Sequence, residues 1–142
     1  PKKLPEACYN ELQNAIQRTS QNKRITLTLA LNYSAKWEIT NACKSIAKDV
    51  KANQLEIDSI DDDLINQYLS TKNIPEPELL IRTSGEKRIS NFLLWQIAYT
   101  ELFFTDIFWP DFKKDNFYEA ILDYQSRERR FGKVSEQIDD AI

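Results

Sequence analysis

Two hydrophobic periodicities alternate along this chain of 142 residues, and this alternation limits the possible folds more than any other feature. Apolar residues three or four positions apart are typical of amphipathic helices, whereas short apolar or alternating runs are typical of strands. In order, the segments are a helix over 4–19, a strand over 24–32, a helix over 34–50, a short helix over 59–69, a strand over 79–82, a helix over 92–99, a strand over 101–105 and a helix over 116–131. This order predicts an α/β fold, with a mostly parallel sheet flanked by helices.

Local signals mark the ends of several segments. Pro5 suits the first turn of the first helix, and Ser34 is a good cap for the helix that follows the first strand. Ser59, with Asp62 three residues on, resembles a capping box for the short helix. Gly132 is a natural stop for the last helix.

Composition limits the number of domains and excludes several functions. With 42% hydrophobic residues, we expect one domain over 1–142. A net charge of -3 argues against nucleic-acid binding, and the absence of histidine excludes Ser-His-Asp catalysis and His-ligated zinc. Cys8 and Cys43 lie far apart, so we expect two buried free thiols in a reducing compartment. No apolar run approaches the roughly 20 residues of a membrane helix, which predicts a cytoplasmic protein.

The segment from Arg82 to Asn91 concentrates the residues that can bind an anion. Two guanidinium groups, Arg82 and Arg88, flank a flexible glycine, and Ser90 adds a hydroxyl just before a predicted helix. Phosphate ligands bind at the carboxyl ends of parallel strands, where helix N–H groups and arginine forks can hold them. The alternative is a solvated loop in which the two arginines only pair with glutamates 78 and 86.

This segment also carries a family resemblance. Glu78-Leu-Leu-Ile-Arg-Thr-Ser-Gly-Glu-Lys-Arg-Ile-Ser-Asn-Phe-Leu-Leu-Trp-Gln96, with Ala98-Tyr-Thr-Glu-Leu-Phe-Phe-Thr105 and Trp109-Pro-Asp-Phe112, resembles the signature of cis-prenyltransferases, and bacterial undecaprenyl diphosphate synthases most of all. Those enzymes condense isopentenyl diphosphate with an allylic diphosphate, extending farnesyl diphosphate to the undecaprenyl diphosphate used as a peptidoglycan precursor. The resemblance implies that Arg82, Arg88, Ile89 and Ser90 bind the isopentenyl diphosphate.

Further roles follow from the same resemblance. Glu101 is implied as a ligand of Mg²⁺ at the diphosphate, and a magnesium site with one carboxylate is chemically reasonable. Arg130 and Gly132, in the closing Arg-Phe-Gly element, are implied to reach the diphosphate site of the second subunit of a homodimer. The family also implies contact with the membrane surface through the lipid product.

Two departures from the family pattern affect these expectations. Ser34-Ala35-Lys36 stands where the family usually has Gly-Gly-Arg, so a bidentate arginine contact is lost there. No Asp-Gly pair occurs in the chain, so the family's Asp-Gly-Asn-Gly-Arg-Trp loop, with its catalytic aspartate, is missing. We therefore expect about the last three-fifths of such an enzyme, without the amino-terminal strands, inactive alone and completed by further protein. The alternative is a noncatalytic accessory subunit.

Overall fold

The computed structural model describes residues 4–128, and its two strands are parallel, as expected for the predicted mostly parallel sheet. The helices and strands are α1 (Glu6–Thr19), α2 (Ala35–Lys51), α3 (Asp62–Tyr68), β1 (Leu79–Arg82), β2 (Glu101–Phe104) and α4 (Lys114–Gln125), with 3-10 turns at Ile57–Ser59 and Trp109–Asp111. The strands β1 and β2 are parallel, and Leu79 pairs with Glu101 while Arg82 pairs with Phe104. The α/β fold with parallel strands flanked by helices is therefore confirmed.

The helix predicted over 92–99 is wrong. The connection between β1 and β2 is a series of turns, with one helix-like bond from Ile97 N to Leu93 O at 3.0 Å. Ser90, Asn91 and Leu93 have positive φ angles of 47°, 63° and 46°. An α-helix requires negative φ at every residue, so Leu93 interrupts a helix over 92–99, and Ser90 and Asn91 prevent one from beginning earlier, despite the helical spacing of the apolar residues.

The strand predicted over 24–32 is also absent from the part of the chain that the structure describes. Residues 24–30 are irregular, and Ile25 and Leu27 are 85% and 82% exposed. A strand is stabilised by hydrogen bonds to a neighbouring strand, and within 4–128 the sheet consists of β1 and β2. Alternating apolar residues show that a segment can form a strand, but residues 24–30 form no regular structure.

Helix capping follows the prediction at α2 and departs from it at α3. The Ser34 hydroxyl accepts a hydrogen bond from Trp37 N at 3.3 Å, as predicted. The cap of α3 is Asp61, which accepts from Leu64 N at 2.8 Å, because Ser59 lies in the preceding 3-10 turn and donates to Glu56 O.

The last helix is shorter than predicted. It ends at Gln125 rather than near residue 131, and Ser126 caps it. The bond from Arg127 N goes to Tyr124 O, three residues back, instead of continuing the helical pattern. Gly132, the predicted stop, lies outside the described residues.

One face of α2 is buried. Apolar residues from four segments are less than a tenth exposed: Ala35, Ala42, Ile46, Leu69, Ile97 and Ala120. Glu38 and Gln96 are buried among them, and Gln96 Nε2 donates to Glu38 Oε2 at 3.2 Å. A polar bond thus joins α2 to the β1–β2 connection inside an apolar environment.

Three further features concern the compact units, the cysteines and the length of the helices. The chain divides into two compact units, Pro1–Tyr33 and Ser34–Ile142, and the single domain over 1–142 stays a prediction. Cys8 and Cys43 are free and exposed, so the prediction of buried thiols is wrong: their helices turn these positions to solvent. Within residues 4–128, every helix is too short or too polar to cross a bilayer.

Candidate functional site

The carboxyl ends of β1 and β2 hold the loop that the sequence singles out. After β1 the chain turns at Ser84 and Gly85, whose N–H groups donate to Ile107 O and Thr105 O, both at 2.9 Å. The loop after β1 is therefore fastened to the segment after β2. This is the edge of a parallel sheet at which ligands bind in α/β proteins.

Gly85 is required at this turn for two reasons. Its φ of 67° is in the left-handed region, and a Cβ atom there would lie 2.9 Å from Asp106 Oδ1. Any larger residue would meet backbone strain and a steric contact together. The exposed Asp106, which sequence reasoning did not single out, thus closes the loop from the β2 side.

Arg82 is the last residue of β1 and points its side chain away from the face that carries Leu79 and Ile81. It is partly exposed, yet its Nε is buried and has no hydrogen-bond partner. Buried nitrogen donors are normally paired, so this one marks a place where an acceptor can bind. An anion at the end of β1 would satisfy it.

Arg88, Ile89 and Ser90 follow on the outer side of the same loop. Arg88 forms an ion pair with Glu86, and the two side chains are 68% and 36% exposed. Part of the alternative prediction, an arginine paired with a loop glutamate, is therefore present. Ile89 is half-buried and Ser90 is exposed, so the hydroxyl of Ser90 is accessible.

Asn91 connects this loop to α2. Its Oδ1 accepts from Lys36 N at 2.9 Å, and its Nδ2 donates to Ser34 Oγ at 2.8 Å. The sequence predicts that a helix begins here and offers its own N–H groups; instead, the helix end at this place is that of α2. An asparagine that follows a serine before an apolar run is a capping signal, and it caps a helix 55 residues away in sequence.

Glu101 lies apart from the arginine loop. It is at the amino end of β2, opposite Leu79, whereas Arg82 is opposite Phe104. Three residues of strand separate these positions by about 10 Å, and alternation directs the side chains of Arg82 and Glu101 to opposite faces. Arg82 therefore ends β1, Arg88 and Ser90 lie on the loop that follows it, and Glu101 lies at the other end of the strand pair.

Glu101 is instead paired with Arg127. Arg127 Nη1 is 2.8 Å from Glu101 Oε2, and Nη2 is 2.5 Å from Asp123 Oδ2. The hydrogen bond to Glu101, followed by that to Asp123, raises the pKa of Arg127 above its usual value, so the guanidinium stays charged. Two carboxylates thus share one cation where α4 ends against β2.

This arrangement does not fit a magnesium site formed by the described residues alone. The carboxylate of Glu101 is already neutralised by Arg127, and no group of three or more Cys, Asp or Glu residues suited to a metal is found within 4–128. A magnesium ion would need other ligands, such as waters and diphosphate oxygens. The role of Glu101 as a metal ligand stays a prediction.

Comparison with known proteins identifies the family. Residues 1–132 match the prenyltransferase family described as undecaprenyl diphosphate synthase. The chain belongs to the cis-prenyltransferase family. An isoprenyl transferase from Porphyromonas gingivalis is 54% identical over 136 residues, which are 96% of this chain and 54% of that protein. The isoprenyl transferase from Bacillus subtilis is 50% identical over 92% of this chain and 50% of its own length.

Solved structures of cis-prenyltransferases share the fold. Lavandulyl diphosphate synthase from Lavandula x intermedia, in complex with dimethylallyl diphosphate, matches with a TM-score of 0.84 and 38% identity over 92% of this chain and 56% of that one. A probable undecaprenyl diphosphate synthase from Campylobacter jejuni matches with a TM-score of 0.71 and 30% identity over 92% of this chain and 59% of that one. This chain spans about half the length of the curated relatives it matches.

The remaining residues implied by the cis-prenyltransferase resemblance are placed as follows. Arg130 and Gly132 lie outside the described residues, so their role stays a prediction. Lys36, where the family usually has arginine, is exposed in the first turn of α2, with its backbone N–H bonded to Asn91. Lysine offers a single charged point rather than a planar fork, so the guanidinium groups of Arg82 and Arg88 are the groups in this part of the described chain that can form bidentate contacts with an anion.

Proposed function

We propose that this chain provides the isopentenyl diphosphate site of a cis-prenyltransferase, which condenses isopentenyl diphosphate with an allylic diphosphate. The observation that carries the proposal is the buried Nε of Arg82, which has no partner and lies at the end of β1, directly before the loop with Arg88 and Ser90. A diphosphate supplies the acceptor that this nitrogen lacks. The family membership supports the substrate class.

The ion pair between Arg88 and Glu86 is compatible with this role. Arg88 is 68% exposed and Glu86 is 36% exposed, and ion pairs in contact with solvent contribute only about 0–1 kcal/mol. A diphosphate carries more negative charge than one carboxylate and can replace Glu86 at little cost. Ser90, exposed two residues on, can then donate its hydroxyl to the same ligand.

In the proposed reaction the chain orients the nucleophile. The double bond of isopentenyl diphosphate attacks the allylic carbon, the allylic diphosphate leaves with the electron pair of its C–O bond, and a proton is lost from the new chain. The C–O bond between the isopentenyl group and the diphosphate held by Arg82 and Arg88 stays intact in this step, so these residues act by binding and orientation. Fixing the nucleophile in place supplies part of the rate.

The finer features of the proposal come from the family. They are a farnesyl starter, an undecaprenyl product for the cell-wall lipid carrier, Mg²⁺, a homodimer in which Arg130 and Gly132 reach the partner subunit, and membrane-surface contact through the product. The allylic site and its catalytic aspartate are proposed to lie in protein outside these 142 residues. An accessory subunit of the same family is the alternative.

Binding measurements test the proposal. Isothermal titration calorimetry of the whole natural polypeptide that carries this chain should show isopentenyl diphosphate binding more tightly than inorganic diphosphate. Arg88→Ala should weaken that binding roughly tenfold, because one charge-assisted contact is lost, and should raise the KM for isopentenyl diphosphate. Arg18→Ala, at the exposed end of α1, is the matched control and should change neither value. Equal affinity for isopentenyl diphosphate and inorganic diphosphate would contradict the proposal, and so would an Arg88→Ala variant with unchanged affinity and KM. If the protein binds no isopentenyl diphosphate at all, the accessory subunit is favoured.

A further inference from the structure

We propose that Asn91 is a positioning residue, which holds the segment with Arg88 and Ser90 on the first turn of α2 and so sets the affinity for the diphosphate ligand. The inference rests on the proposed function, because it concerns how that site is kept in place. Asn91 follows Ser90 directly, and nothing in the site residues predicted from sequence assigns it a role.

Three hydrogen bonds support this role. Asn91 O accepts from Ala35 N at 3.0 Å, Oδ1 accepts from Lys36 N at 2.9 Å, and Nδ2 donates to Ser34 Oγ at 2.8 Å. The backbone and both side-chain heteroatoms of a single residue are therefore used, and all three bonds go to consecutive residues of one helix start. Asn91 is half-buried, which limits competition from water.

The same bonds close the amino end of α2 to other ligands. The first N–H groups of a helix lack partners within the helix and are a common anion site. Here Asn91 accepts from two of them, and the Ser34 hydroxyl accepts from a third, Trp37 N, at 3.3 Å. These N–H groups hold the loop, and the arginines of the loop are left for the anion.

The backbone at this point needs such an anchor. Ser90 and Asn91 have φ angles of 47° and 63°, and two consecutive left-handed residues are costly without external support. Asparagine tolerates this conformation better than most residues. Since Ser90 is one peptide bond away, its hydroxyl is directed by the conformation that the anchor maintains.

A second bond keeps the connection against α2 farther along. Gln96 Nε2 donates to Glu38 Oε2 at 3.2 Å, one turn into the helix from Ser34. The segment 91–96 is thus bound to α2 at both ends. A helix packed in the core is a rigid support for a loop that forms no regular structure of its own.

Ser34 is the partner that distinguishes this chain from the usual family pattern. The family usually has glycine at this position, which has no hydroxyl to accept from Asn91 Nδ2. Ser34 therefore adds one bond to the anchor, and the effects of changing Ser34 and Asn91 should not be additive.

The test compares ligand affinity with fold stability. Asn91→Gly removes the side chain without straining a positive φ, and Ser34→Gly removes one of its partners. Asp61→Gly is the matched control, because it removes the side-chain cap of α3, which accepts from Leu64 N at 2.8 Å. Each variant of the whole natural polypeptide is titrated with isopentenyl diphosphate by calorimetry and melted by circular dichroism.

We expect Asn91→Gly to weaken isopentenyl diphosphate binding roughly tenfold and Ser34→Gly about threefold, with the double variant close to Asn91→Gly alone. The Asp61→Gly control should lower the melting temperature and leave the Kd unchanged. If Asn91→Gly and Ser34→Gly bind as tightly as the unchanged protein, the positioning role is overturned while the proposed function stands. If the unchanged protein binds no isopentenyl diphosphate, the proposed function fails and this inference fails with it. If Asn91→Gly does not fold, the Kd of Ser34→Gly decides: a weakened affinity supports the positioning role, and an unchanged affinity overturns it.

Discussion

Replacing Glu38 with alanine should destabilise the fold more than any exposed charge change. Glu38 is 5% exposed, and its Oε1 accepts from Ser70 N at 2.8 Å and from the Ser70 hydroxyl. Its Oε2 accepts from Gln96 Nε2 at 3.2 Å. One carboxylate on α2 therefore joins the end of the α3 region to the β1–β2 connection.

The magnitude follows from these contacts. Hydrogen bonds to a charged group contribute about 1.5–3 kcal/mol each, and a buried donor left without a partner costs about 1–3 kcal/mol. Water can replace the carboxylate at Ser70, which is exposed. At the buried Gln96, Nε2 keeps its bond to Thr71 Oγ1 at 2.9 Å, but its second hydrogen is left without an acceptor. We therefore expect Glu38→Ala to lower the free energy of unfolding by about 3 kcal/mol, which corresponds to a fall in Tm of about 6–12 °C.

Urea unfolding, followed by circular dichroism, measures this change. Glu119→Ala is a suitable control, because Glu119 is exposed on α4 and should alter stability by less than about 0.5 kcal/mol. The loss of stability for Glu38→Gln should be larger than that for Glu119→Ala and smaller than that for Glu38→Ala, because the amide oxygen can still accept from Ser70. A loss below about 0.5 kcal/mol for Glu38→Ala would refute the view that this carboxylate joins the three segments.

Two other changes have defined outcomes. Gly85→Ala should lower the free energy of unfolding measured in urea by about 1–2 kcal/mol, because Gly85 has a φ of 67°. Complete rescue by Asp106→Ala would show that the 2.9 Å contact between the added Cβ and Asp106 Oδ1, and not the backbone conformation, causes the loss. The hydrogen bond from Tyr68 Oη to Asp49 Oδ2, at 2.5 Å, raises the pKa of Tyr68 above 10.0, with burial adding to the shift. The folded state therefore holds the phenolic proton more tightly, so this stabilisation is complete below pH 10.0 and is lost as pH rises through the higher folded-state pKa. Tyr68→Phe should remove that loss from the stability profile measured by urea unfolding, and an unaltered alkaline limb would contradict the assignment.

The parts of the fold set by short-range effects were predictable from sequence. The run from Leu79 to Arg82 is too short for a helix and follows two prolines, so β1 and its polar loop could be placed within a residue. The cap at Ser34 is equally local. By contrast, the alternation over 24–32 shows only that the segment can join a sheet, and whether it does depends on a neighbouring strand.

The candidate site was predictable in part. The sequence placed Arg82 at the end of a short strand and Arg88 and Ser90 on the following loop, and the structure has the same placement, while their role in binding stays a prediction. The pairing of Glu101 with Arg127 is a contact across 26 residues that no local pattern indicates. The apolar spacing over 92–99 predicted a helix because periodicity carries no information on φ, and so the anchor formed by Asn91 was missed.

The left-handed residues of this chain are not spread evenly. Of the seven positive-φ residues among those described, five lie between 84 and 93, and one of them is Leu93, a bulky residue for which φ of 46° is an outlier. Within residues 4–128, segment 84–93 is thus the part of the chain in which unfavourable backbone conformations are concentrated. A substitution that relaxes this backbone, such as Leu93→Gly, is expected to raise stability and to lower the affinity proposed for diphosphate. Thermostable variants should therefore be sought among substitutions in the helices, with residues 84–93 left unchanged.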